Sequence, residues 1–343
     1  MPTELKVGDV TVKRGEFKKG HIKGAELNNG MSLDLPVLVM NGSKDGPTLL
    51  ITSTEHGTEI QGIQVILKLM NEKLDPKKLR GAVIGIPVMN MSGFMANRYR
   101  SWIDHVDIQR VRADNPNGSS TEMIAYNLWT EAVSKADIWI NAHCNTRPDS
   151  LYYSSINIAD PRTKEKCIQM AEAFPYTKMF SDTPLSPDAP PTYGTLATKM
   201  GIPRILLEYV DGRWITEEST NTGIRGHLNV MKIFNMIDGK VEPHPEKLLR
   251  VDGWNKGIGL LRPKRGGLLR ILKKPGEFIK KNEVVAEVYN LFGDVVEQVK
   301  MPQDGYVWSW PCGDFCDTSG ELQTVNSGCG MAFAFIHVGE KLP

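Results

Sequence analysis

The sequence predicts an α/β fold: a mainly parallel mixed sheet flanked by helices, followed by a smaller C-terminal all-β domain. Three observations predict it. Apolar runs alternate with stretches of helical spacing between residues 35 and 237. Three of those runs end in a polar group, at His56, His143 and Glu208. Beyond residue 245 the helical spacing stops and short apolar runs follow, most of them separated by glycine and proline. Strands alternating with helices build a parallel sheet, because parallel neighbours need a crossover between them.

Residues 1–44 read as short strands and turns, with glycines at 8, 15, 20, 24 and 30. Residues 35–40 (LPVLVM) form a strand, 42–47 (GSKDGP) a turn, and 49–53 (LLITS) the next strand. Ile60, Ile63, Ile66, Leu67, Met70 and Leu74 recur at helical spacing. The run AVIGIPVM at 82–89 suits a strand covered on both faces. A helix is expected over 121–134, with Ser119 or Ser120 near its start. The strand DIWINA at 137–142 ends at His143. Helices follow over 161–174 and 192–200, the second stopped by Gly201, then the strand RILLEY at 204–209 and a helix over 220–237. The linker-like stretch 238–245 divides an α/β domain of residues 1–240 from a β-rich, barrel-like domain of residues 246–343. Strands are expected there over 268–272, 284–289, 295–299, 305–310 and 331–338.

The chain of 343 residues has 41% hydrophobic and 24% charged residues, as an ordinary globular protein does. Its formal net charge of +1 argues against broad binding to nucleic acid or to an acidic membrane surface. No apolar run is long enough to span a bilayer, and the first residues lack a signal-peptide core. Five cysteines in a chain of this length do not form a disulfide framework. These features lead to the expectation of a cytoplasmic protein with a small-molecule partner; a homo-oligomer stays open.

The stretch Thr54-Glu55-His56-Gly57-Thr58-Glu59 lies where an apolar strand turns into a helix. An imidazole and a carboxylate three residues apart at such a turn reach one metal ion, and zinc favours this mixture of nitrogen and oxygen. The plainer reading is a polar turn that caps the helix. His143, at the end of another strand, is the natural third ligand, and His, Glu, His is a standard catalytic zinc set. Taken alone, His143 would read as a buried, hydrogen-bonded histidine.

Five pieces in order carry a resemblance: Glu55-His56-Gly57-Thr58-Glu59, Pro87-Val88-Met89-Asn90, RSWIDHVDIQR at 100–110, Ile140-Asn141-Ala142-His143 and Leu206-Leu207-Glu208. The pattern, over residues 35–240, resembles the succinylglutamate desuccinylase and aspartoacylase family of the zinc carboxypeptidase clan. The resemblance implies a zinc-dependent amidohydrolase, with one zinc per chain held by His56, Glu59 and His143. It implies Glu208 as general base and then acid, Arg110 as anchor for a substrate carboxylate, and Arg100 beside the scissile carbonyl. Asp104 and Asp107 would support this set rather than bind metal. The family often has Asp-Leu-Asn-Arg where this chain has Asp107-Ile108-Gln109-Arg110, so Gln109 would reshape the carboxylate pocket. It often has Asp-Leu-His where this chain has Asn141-Ala142-His143, so an acid that supports the zinc site would be lost. The substrate implied is a small N-acyl amino acid with a free carboxylate, an N-acetyl-diaminobutyrate or similar compound among them.

The C-terminal domain resembles half of a lipoyl or biotinyl barrel, but Leu291-Phe292-Gly293 occupies the hairpin tip where a carrier needs lysine. Lys300 lies too near Pro302 and reads as strand. Cys312, Cys316 and Cys329 fit no metal-finger spacing and read as free thiols, Cys144 should point away from the zinc site, and Trp308 and Trp310 read as packing. The alternatives to the deacylase are a carboxypeptidase acting on short peptides and a non-catalytic carrier or scaffold protein.

Overall fold

Among the described residues nine strands pair into one mixed sheet: a parallel middle, a second parallel group that runs against it on one side, and antiparallel strands on the other. The structure, a computed structural model, describes residues 3–144, 153–210, 214–243, 250–252, 258–274, 276–309, 324–325 and 333–337. A ribbon of β1 (Glu4–Val7) and β2 (Val10–Lys13) comes first. Then follow β3 (Glu16–Glu26), β4 (Ser32–Asn41), β5 (Lys44–Ser53), α1 (Gln61–Lys68), β6 (Arg80–Ile86), α2 (Met91–Met95), α3 (Ser120–Glu131) and β7 (Ile138–Cys144). The rest are β8 (Tyr153–Asn157), α4 (Lys164–Glu172), β9 (Thr177–Ser181), α5 (Tyr193–Met200), β10 (Arg204–Tyr209), α6 (Glu217–Ile233) and β11 (Arg250–Asp252). The sheet order is β11-β9-β8-β10-β7-β5-β6-β4-β3. Strands β6, β5, β7 and β10 run parallel; β8 runs against β10, and β4 against β6.

The central strands are apolar almost throughout because both faces are covered. Side chains alternate between the faces. Leu49 and Ile51 of β5 join a core with Val65, Ile66, Ile224 and Val230 from α1 and α6. Leu50 joins the opposite core with Ile124, Leu128 and Ala197 from α3 and α5. Local signals fix the helix ends. Ser119 and Glu122 form a capping box at α3. Thr192 caps α5, and Gly201 ends it in left-handed backbone at φ 74°.

Several boundaries differ from expectation. The expected turn 42–47 is shorter, since β5 already begins at Lys44 with an irregularity before Thr48. The strand expected over 82–89 stops at Ile86, before Pro87, which has no N–H to donate. Helix α6 starts at Glu217, where Thr216 accepts from Ser219 N, and ends at Ile233. A π-helical turn, Leu69–Lys73, carries α1 on towards Leu74. No helix of the described residues is long and apolar enough to cross a membrane.

Beyond the linker, β11 returns to the large sheet and pairs with β9. The following strands are β12 (Ile258–Leu261), β13 (Gly267–Ile271), β14 (Phe278–Ile279), β15 (Val284–Tyr289), β16 (Val295–Lys300), β17 (Gly305–Ser309), β18 (Thr324–Val325) and β19 (Phe333–His337). They form two four-stranded sheets, with Leu269, Val285, Val288, Val299 and Val307 in a core of their own. The tip between β15 and β16 presents Leu291 and Phe292, which are 85% and 91% exposed, and Lys300 ends β16. Cys312, Cys316, Cys329, Trp310 and the Trp308 side chain lie outside the described residues.

Candidate metal centre

Strand β5 delivers the first half of the site. Thr54 follows it in left-handed backbone, φ 53°, a conformation a β-branched residue keeps only where its surroundings enforce it. Here Thr54 Oγ1 donates to the Glu59 carbonyl at 3.0 Å, and the Thr54 carbonyl accepts from Asn90 N. Gly57 has no room for a side chain. A Cβ there would stand 2.0 Å from the carbonyl carbon of Gly93 and 2.3 Å from Phe94 N. Helix α2 and the segment after it therefore press directly on the turn, and Gly57 N donates to the Tyr99 carbonyl. The contact lays the Tyr99 ring on the His56 ring, with centroids 3.7 Å apart and planes 11° apart.

His56, Glu59 and His143 are buried and meet. Each offers one ligand atom, all within 4.8 Å of one another. Both imidazoles turn Nδ1 to the same carboxylate: His56 Nδ1 lies 2.7 Å from Glu59 Oε1, and His143 Nδ1 lies 2.9 Å from Glu59 Oε2. Glu59 Oε2 is nevertheless buried without a directed hydrogen bond. Two imidazole nitrogens around an under-satisfied carboxylate oxygen is a donor set that suits zinc. Burial opposes charge on both rings. Glu59 and Asp107 still push His56 up to about 9, and Glu59 and Glu55 push His143 well above its usual range. The carboxylates around the two rings thus favour positive charge between them.

The other half of the site is built on strands. His143 lies within β7, which continues to Cys144 rather than ending before it. Its Nε2 lies 2.7 Å from Glu55 Oε2. Glu55 has no accessible surface, and it also accepts from Tyr193 OH and, at 2.6 Å, from Asn141 Nδ2. Nothing in the sequence pattern gives Glu55 a role of its own. An acid does support His143, but from the turn rather than from position 141. The nearest sequence signal was a carboxylate set between an apolar strand and a buried turn. Cys144 is a free, buried thiol in the core on one face of the sheet.

Glu208 stands in register beside His143 on the neighbouring parallel strand and opposite Tyr153 on the antiparallel one. Tyr153, also missed in the sequence, hydrogen-bonds its carboxylate. Burial, reinforced by Glu59, pushes Glu208 up to about 8 against the pull of the two imidazoles.

The arginines lie further out. Asp107 caps the turn Ile108–Arg110 by accepting from Gln109 N, and it accepts from Arg110 Nε at 3.1 Å. The same carboxylate comes to 3.6 Å from His56 Nε2, beyond hydrogen-bond length. Arg110 therefore reaches the cluster through Asp107, with 79% of its side chain exposed. Gln109 is half-buried, and Arg100 is exposed with no bond to the cluster among the described residues. Asp104 pairs with neither arginine; it accepts from Thr121 N and Oγ1 at the start of α3.

A family model, the succinylglutamate desuccinylase/aspartoacylase catalytic domain, matches residues 45–234. The chain belongs to this family. It is a family of N-acyl amino acid deacylases, and the chain is an enzyme of that kind. One curated relative is the N-alpha-acetyl-L-2,4-diaminobutyric acid deacetylase of Halomonas elongata. It is 26% identical over 261 residues, which cover 75% of this chain and 74% of that protein. Among solved structures, a succinylglutamate desuccinylase/aspartoacylase from Rhodobacter sphaeroides has a TM-score of 0.79 at 23% identity, covering 96% of this chain and 98% of that one. The product-bound ectoine utilization protein EutE of Ruegeria pomeroyi has a TM-score of 0.80 at 20% identity, with the same coverage. At such identities the likeness shows the fold, and it extends across the C-terminal β region as well.

Proposed function

We propose that this family member is a zinc-dependent deacylase that cleaves the amide of a small N-acyl amino acid. The observation that carries the reading is the buried meeting of His56, Glu59 and His143 with Glu208 in register beside them. His56, Glu59 and His143 would hold one zinc per chain, which when bound supplies a more acidic water and polarises the amide carbonyl. Glu208 takes the proton from the attacking water and hands it to the leaving nitrogen; a carboxyl displaced towards neutrality by burial suits both tasks. Arg110 leaves its guanidinium open beyond Asp107 and would anchor the substrate carboxylate, with Gln109 beside it. Arg100, on the exposed segment before them, would meet the scissile carbonyl. The likeness to the Halomonas deacetylase favours an N-acetylated diamino acid as the first substrate to try. The test is a screen of N-acyl amino acids with amine detection on protein of known metal content. Turnover that tracks zinc and needs a free carboxylate is expected. Full activity after complete metal removal would refute the reading.

A further inference from the structure

Outside the ligand set, the Glu55 carboxylate is fully buried and has three side-chain partners, and the direction of each bond around it follows from their chemistry. Trp139 Nε1 can only donate, and it donates to Thr52 Oγ1 at 2.9 Å. The Thr52 hydroxyl hydrogen is free to go to Asn141 Oδ1, 2.7 Å away, and the carboxylate on the other side of the amide, which can only accept, requires that orientation. That fixes the Asn141 amide with its NH2 towards Glu55 Oε2, at 2.6 Å. Glu55 Oε1 is taken by Tyr193 OH. What remains for Oε2 is the hydrogen on His143 Nε2, at 2.7 Å. With that hydrogen on Nε2, the lone pair of neutral His143 is on Nδ1, the nitrogen that faces Glu59. Trp139, Thr52, Glu55 and Asn141 are all fully buried, so no solvent competes for these bonds.

We propose that Glu55 and Asn141 act as an exchangeable acid and amide pair that sets which nitrogen of His143 faces the metal. This rests on the zinc reading above. Asn141 Nδ2 lies 3.0 Å from the same Nε2, so side chains at 55 and 141 reach one atom from two sides. Only one of them can carry a negative charge, because two ionised carboxylates with facing oxygens at the 2.6 Å now spanned by a hydrogen bond would repel strongly. The pair is thus a positioning device: it touches no substrate and acts through the ring it orients.

The test compares wild type with Glu55→Gln, Asn141→Asp and the exchanged double variant. Zinc affinity is read by chelator competition, ligand geometry by the visible spectrum of the cobalt(II)-loaded protein, and metal-free stability by melting. Glu55→Gln presents an amide to Nε2 and should weaken zinc about 10- to 100-fold with an altered cobalt spectrum. Asn141→Asp alone should lower the melting temperature. The double variant should recover most of the zinc affinity and the wild-type cobalt spectrum. A double variant as weak as Glu55→Gln overturns the exchange. Melting changes without any change in affinity or spectrum would reduce the pair to a purely structural role and overturn its action on the metal. A wild-type protein that takes up no zinc would instead refute the zinc reading; the melting series would then show separately whether the two positions exchange.

Discussion

His143 stands inside a strand with both ring nitrogens engaged, whereas His56 hangs from a turn with Nε2 unbonded, 3.6 Å from Asp107. Behind His143 lies a chain of donors and acceptors from β5, Glu55 of the turn after it, β7 and α5, all buried. Around His56 the wall is the segment from Asn90 to Arg110, which exposes Met95 and Trp102 and ends in an arginine open to solvent. The strand side is determined by core packing, which interiors hold to crystal-like density. The loop side is determined by a ring stack and by backbone bonds of a surface segment. On the function proposed above, the difference would divide the tasks: the strand half would fix where zinc sits, and the loop half would link that position to the carboxylate that Arg110 anchors.

The largest expected effect sharpens the strand half. Glu208→Gln should cut turnover by a factor of about 10² to 10⁴ with zinc content and melting temperature near wild type. Loss of zinc in this variant would make Glu208 a ligand and enlarge the strand half. Acid stability comes next and supplies a baseline outside both halves. His227 is buried in α6, donates from Nδ1 to the Gly223 carbonyl, and is pushed down to about 4 by burial. Its folded value lies below the usual 6.5, so the unfolded chain takes up a proton first. Its contribution is complete above about 6.5 and is lost as pH falls towards about 4, on the order of 3 kcal/mol. His227→Leu should flatten that slope in melting experiments; a slope left intact would belong to other groups. On the loop half, Asp107→Asn should weaken zinc about tenfold, the low end for a residue next to a ligand, because its contact with His56 is long. A loss equal to that of Glu55→Gln would erase the distinction between the halves. The smallest effect on the scaffold is expected for Arg110→Ala, within about 0.5 kcal/mol of stability. Its KM for carboxylate substrates should rise while kcat holds, and an unchanged KM would remove it as the anchor.

The legible parts of the sequence were those where local pattern and tertiary position agree. The central strands were visible as apolar runs, and α3 and α5 by their caps. His56 and Glu59 were visible because three residues on one turn settle their meeting. Strands β8 and β9 were not. Tyr153–Asn157 reads as polar, and β9 carries Lys178, a residue that signals exposure. Lys178 is in fact buried, with Nζ donating to the Phe174 and Tyr176 carbonyls beyond the end of α4. Burial holds its amine down at about 8. Glu55 was illegible for a different reason. Its partner is 88 positions away, and only the pairing of β5 with β7 brings the two together. The sequence shows the departure at Asn141 as a missing acid, but nothing local to Glu55 marks it as the acid that reaches His143 instead.

Strand β11 turns the composition change after residue 238 into a misleading place to cut. Arg250–Asp252 bonds to β9 along the outer margin of the nine-stranded sheet. A fragment ending at residue 240 would leave the amides and carbonyls of β9 without those partners, and bare strand margins recruit other chains. Whoever grafts or shortens this enzyme should carry the cut past Asp252, so that the sheet keeps the selvedge that stops it fraying into aggregates.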